Sequence, residues 1–74
     1  MKKPLVRVHL GRDGKTLERE FPARVPLAGE AFLHDAKNWV VKVVLHTEPD
    51  NPFVAEIYCL EIKVSDLLKE RGWV

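Results

Sequence analysis

Apolar and polar positions alternate along most of this chain. Val6, Val8 and Leu10 share one parity, while Leu5, Arg7 and His9 share the other. That period of two marks a half-buried strand. Gly11-Arg12-Asp13-Gly14-Lys15 supplies turn chemistry, and Thr16 to Phe21 alternates again. There, Leu17 and Phe21 bracket Arg19, and Thr16, Glu18 and Glu20 face out. Residues 5–21 thus predict an antiparallel hairpin with Arg7 and Arg19 across from one another.

The longest β-branched run is Trp39-Val-Val-Lys-Val-Val-Leu45. Stiff Val side chains suit a pleated strand. Trp39, Val41, Val43 and Leu45 form a wholly apolar face, expected to point inward. Val40, Lys42, Val44 and His46 form the other face. Glu48-Pro-Asp-Asn-Pro52 is a loop, and Phe53 to Val64 is a second long extended run paired to the first. Its apolar parity changes near Cys59-Leu60, where a one-residue bulge or a sharp bend would keep both halves on one core.

Two segments are less regular. Pro22 to Pro26 reads as an extended connector. Residues 28–37 admit a helix, with good formers from Glu30 to Lys37 and Asn38 as a C-cap. They also admit a strand from Glu30 to His34 followed by a tight turn over Asp35 to Asn38, which is the favoured reading. At the C-terminal end, Ser65 is the expected N-cap of a helix over Asp66 to Arg71, with Gly72 ending it. A helix of one or two turns cannot hold itself, so docking through Leu67, Leu68 or Trp73 is expected.

The elements predict a single domain over residues 1–74, mainly β: a five-stranded, partly open barrel with a short C-terminal helix. Pro26-Leu-Ala-Gly-Glu-Ala-Phe32 followed by Trp39-Val-Val-Lys-Val-Val44 resembles small SH3-like barrels over residues 26–62. Those carry a Pro-x-x-Gly-Glu-x-apolar lead-in, a short turn and an aromatic-x-Val-x-x-Val strand. The resemblance implies a barrel that binds peptides, nucleic acids or its own copies. The first hairpin resembles the ubiquitin-like β-grasp, whose hairpin-helix-hairpin order would need residues 28–37 to be helical. That alternative is α+β. The β-grasp conjugation role is unsupported, since the chain ends Gly72-Trp73-Val74.

Composition limits the remaining choices. At 74 residues with one cysteine, the core is small and no internal disulfide is available. A subunit partner is one source of the missing stability. No Gln, one Met and 31% charged residues lean toward a thermophile. The N-terminus lacks the apolar run of a signal peptide, so no membrane segment and a cytoplasmic location are expected. The net charge of +1 hides an asymmetry. Residues 1–26 hold seven Lys/Arg against three Asp/Glu, and residues 27–74 hold five against eight. Such a distribution suits self-complementary association or a basic edge.

Candidate chemistry is sparse. His9, His34, His46 and Cys59 stand at no zinc-site spacing, and Cys59 lies among apolar neighbours like a structural thiol. Glu18 with Glu20, and Glu56 with Tyr58, share faces as solvated strand residues do. Gly11 and Gly14 precede no helix, so they make no phosphate loop. No catalytic residue, metal or cofactor is expected, and the chain reads as a non-enzyme. The leading expectation is a self-associating interaction module, a homodimer or other protein complex, using Val40, Val44, Val54, Tyr58 and Trp73. The alternative is a nucleic-acid-binding module using Arg7, Arg12, Lys15, Arg19 and Arg24 on phosphates.

Overall fold

The computed structural model describes residues 4–73. Five strands and one helix follow in order: β1 (Leu5–Leu10), β2 (Lys15–Glu20), β3 (Ala31–His34), β4 (Lys37–His46), β5 (Ala55–Glu61) and α1 (Val64–Glu70). The strands form one sheet, β2-β1-β5-β4-β3, curled into an open half-barrel. The mainly β architecture with a short C-terminal helix therefore holds. Its central pair, β1 and β5, is parallel, and every other pairing is antiparallel.

The first hairpin pairs Leu5 with Glu20 through to Leu10 with Lys15. Gly11 at φ +75° begins the turn, and a Cβ there would meet Asp13 Oδ1 at 2.9 Å. Register corrects one expectation. Arg7 pairs with Glu18, whereas Arg19 pairs with Val6 on the inward face, so the two arginines lie on opposite sides of the sheet.

Residues 28–37 contain no helix, which removes the β-grasp-like order. The Pro26–Glu30 lead-in passes into β3, which ends in the two-residue turn Asp35-Ala36 with φ of 54° and 61°. Two successive positive φ values match the twist of a tight hairpin. Asp tolerates that conformation better than Ala.

The expected bulge exists, but on the other strand. Val41 pairs with Cys59 and Val43 with Tyr58, leaving Lys42 as the extra residue in β4. β5 stays regular: Ala55, Ile57 and Cys59 all face inward and are buried. Its change of apolar parity coincides with the end of the strand at Glu61. In β4 the bulge reverses the faces. Trp39 and Val41 point inward before it and Val44 after it, so Val43 and Leu45 are turned to solvent rather than into the core. A strand with an apolar residue at almost every position can be read in either parity, and only its partner decides.

The inward faces enclose Val6, Val8, Leu10, Phe21, Val41, Ile57 and Cys59. Leu17, Val25, Phe32, Trp39 and Val44 pack around them. Phe21 meets Phe32 edge-on at 5.6 Å across the open side of the barrel. Arg19 stacks over both rings and donates from Nη1 to the Leu33 carbonyl at 2.8 Å, joining β2 to β3.

Helix α1 begins earlier than expected. Lys63 is its N-cap and no side chain caps it, so Ser65 lies within the first turn rather than before it. Its C-terminus is a Schellman motif: Gly72, at φ +78°, donates to Lys69 O and Trp73 to Leu68 O. No helix residue is fully buried: Leu67 is half-buried, whereas Leu68 and, at 76%, Trp73 are exposed, so of the three residues expected to dock the helix only Leu67 is partly covered. Arg71 instead donates to the Gly29 carbonyl. Among the described residues, no helix is long and apolar enough to cross a membrane.

Replacing Ala36 with Gly relieves a left-handed alanine, a cost of about 1–2 kcal/mol partly offset by glycine's extra unfolded-state freedom. Ala36→Gly is expected to gain roughly 0.5–1 kcal/mol, read as a melting temperature several degrees higher. No gain in thermal unfolding would mean that the turn is not strained.

Candidate functional site

The sheet has one core face and one outer face, and register places the outer residues in rows. One row runs Glu18, Arg7, Glu56, Leu45, and the next Thr16, His9, Tyr58, Val43. Leu5 and Val54 lie beyond the first row, joined by the Val54 N–H to the Leu5 carbonyl at 2.9 Å. Val43, Leu45, Val54 and Tyr58 make an apolar strip along β4 and β5, each between 38% and 48% exposed.

A polar cluster borders the strip. The His9 and Tyr58 rings stack at 4.2 Å with 5° between planes. His9 Nε2 meets Glu56 Oε1 at 2.8 Å, and Arg7 lies 4.6 Å over the Phe53 ring. These contacts keep the rings and the carboxylate in fixed positions, so the face is preorganised. Proximity of His9 and Glu56 follows from parallel pairing of β1 with β5, which residue order alone does not reveal.

Of the partner residues expected from sequence, Val54 and Tyr58 are in the strip. Val40 is 6% exposed and Val44 packs against the core, so neither is offered to a partner. Trp73 is exposed but stands beyond α1, on a different element. Beyond Lys42 the bulge exchanges the faces, so Val43 and Leu45 point outward in place of Val44. Val40 precedes the bulge, stays on the face opposite Trp39 and Val41, and is buried there. Lys42, the one charge interrupting an apolar run, was the only signal of that exchange.

The five basic residues do not gather into one surface. Arg7 is on the outer face, Arg12 and Lys15 are in and beside the first turn, and Arg19 bridges β2 and β3. Arg24 binds Glu30 through two nitrogens, each at 2.7 Å. Glu30 also accepts the Leu27 N–H at 2.6 Å. The Arg24 hydrogen bonds, aided by that N–H, lower the Glu30 carboxyl to about 2 and raise Arg24.

Two features bear on chemistry. A cleft of about 620 Å³ opens between the two hairpin turns, with Leu10, Leu17 and Trp39 beneath Lys15, His34, Asp35, Lys37 and Glu61. Cys59 is buried, and desolvation pushes its thiol up to about 11, so it is protonated at neutral pH and a poor nucleophile. Among the described residues, no three His, Cys, Asp or Glu side chains converge as a metal site.

No known family model matches the chain, and no curated protein or solved structure shows significant similarity to it.

Cys59 is expected to resist a thiol-specific reagent in the folded protein and to react fully in denaturant. Stoichiometric labelling without denaturant would contradict its burial. The Glu30 ion pair makes a separate prediction. Its carboxyl is depressed on folding, so its stabilisation is complete above the unfolded value near 4.5 and fades as pH falls toward about 2. Thermal melts of wild type and Glu30→Gln should differ at pH 6 and converge by about pH 2. A difference independent of pH would point to a loss of shape rather than of charge.

Proposed function

We propose that this protein is a small, non-enzymatic interaction module that self-associates through the outer face of its sheet. The observation carrying this reading is the apolar strip of Val43 and Leu45, turned to solvent by the Lys42 bulge, with Val54 and Tyr58 beside them. Apolar side chains grouped on an exposed sheet face are the usual core of a protein interface. The small core supports it further, because ten buried apolar residues among those described gain stability from a subunit partner.

Within that reading the half-barrel belongs with small SH3-like barrels, supported by the Pro26–Phe32 lead-in and the Trp39–Val44 strand. The buried, protonated Cys59 supports a binding role over nucleophilic catalysis. Self-association is favoured over phosphate binding because Arg24 is engaged by Glu30, and Arg19 by two rings and a carbonyl.

Sedimentation velocity across dilution tests the reading. Wild type should shift from dimer to monomer as concentration falls, and Val43→Asp with Leu45→Asp should weaken association at least about tenfold. Both positions are exposed in the monomer, so its stability should change by no more than about 0.5 kcal/mol each. A wild-type monomer at millimolar concentration would overturn the proposal, and salt-sensitive binding of an oligonucleotide would favour the basic-residue alternative.

A further inference from the structure

We infer that the occupant of the outer face is a second copy of this chain, stacked with its strands antiparallel to the first about a two-fold axis running across the strands. This arrangement rests on the self-association reading above and specifies its geometry.

Charge along the strands points to it. Among the described residues, one end of the face carries Glu18, Glu20 and Glu56 with Arg7, three carboxylates against one guanidinium. The other end carries Arg12 and Lys42, which flank an apolar notch of about 260 Å³ formed with Tyr58 and Leu60. Asp13, the nearest acid in sequence, lines the cleft on the other side of the sheet. Across the described residues the face is therefore negative at one end, positive at the other and apolar between. Stacked parallel, two such faces would set like charges together. A two-fold axis across the strands reverses strand direction while keeping strand order, so each acidic end covers the partner's basic end.

The same operation matches the middle of the face. The row holding Leu45 and Glu56 meets the row holding Val43 and Tyr58 in the second copy. Leu45 then packs on Val43, and the Tyr58 hydroxyl approaches Glu56, whose other partner is His9. Four strands spaced about 4.8 Å apart, over six residues rising about 3.3 Å each, give a patch about 19 Å by 20 Å. About 380 Å² per copy, roughly 760 Å² in total, is below the size of standard specific interfaces, so the dimer is a weak and transient one.

Charge reversal across two chains tests this. Arg12→Glu/Lys42→Glu makes both ends acidic, and Glu18→Lys/Glu20→Lys makes the first end basic. Each variant alone should self-associate at least about tenfold more weakly than wild type at low salt, by sedimentation. An equimolar mixture should recover wild-type association as a heterodimer. Lys63→Glu/Lys69→Glu, a charge-matched control on and beside α1, should restore nothing when mixed with the Glu18→Lys/Glu20→Lys chain. A second readout is independent of charge: Val43→Cys mixed with Leu45→Cys should oxidise to the mixed disulfide in preference to either homodimer. A wild-type monomer overturns both proposals. A wild-type dimer whose mixtures show neither charge rescue nor preferred mixed disulfide overturns this arrangement alone.

Discussion

The parallel pairing of β1 with β5 is the constraint on which the other elements depend. Val6 pairs with Ala55 and Val8 with Ile57, and none of the four retains exposed surface. Residues 11–54 lie between these strands, so the pairing closes a long segment at a cost of about 3 kcal/mol plus a constant for chain entropy. Burial of those aliphatic side chains must repay it. Each flanking hairpin then needs only local closure: β2 folds back on β1, and β4, with β3 beside it, on β5. A central strand pair whose inward face is wholly buried offers the strongest apolar burial in a domain this small.

The outer face follows from that arrangement in two stages. Parallel pairing puts His9 beside Tyr58 and Glu56, and the stacking and hydrogen bond hold the row flat. The bulge in β4 then determines which valines face outward. One extra residue lets Trp39, Val41 and Val44 all serve the core, and it releases Val43 and Leu45 to the surface. Core and outer strip are thus coupled through Lys42, the extra residue between the Val41 and Val43 pairings.

Local signals were enough for the elements made of neighbours. The first hairpin, the strand over residues 31–34, its tight turn and the glycine ending α1 all depend on chemistry within a few residues. The inward parity of β5 through Cys59 was legible as well. The faces of β4 were not, since valines occur on both parities and the deciding information is the register of β5. The same limit applies to the site: Val54 and Tyr58 sit on a regular strand and could be found, whereas Val43 and Leu45 lie beyond a bulge. Helix α1 failed expectation for another reason. Its apolar residues invite docking, but only Leu67 is half-buried, and the Schellman turn and the Arg71 bond to Gly29 satisfy its end while Leu68 and Trp73 stay exposed.

The Arg19 contact has a mechanical consequence. In a closed barrel, a ladder of backbone hydrogen bonds would join the last two edges. Here a single guanidinium, held over Phe21 and Phe32 and bonded to Leu33 O, spans the seam. Parting that seam breaks the Arg19 hydrogen bond to Leu33 O, the Arg19 contact with the Phe32 ring and the Phe21–Phe32 edge contact, each on the order of 1 kcal/mol or slightly more. Separating β1 from β5 would instead expose the whole core. The molecule is therefore stiff along its central pair and compliant at its seam, and the width of the cleft between the hairpin turns is its softest dimension.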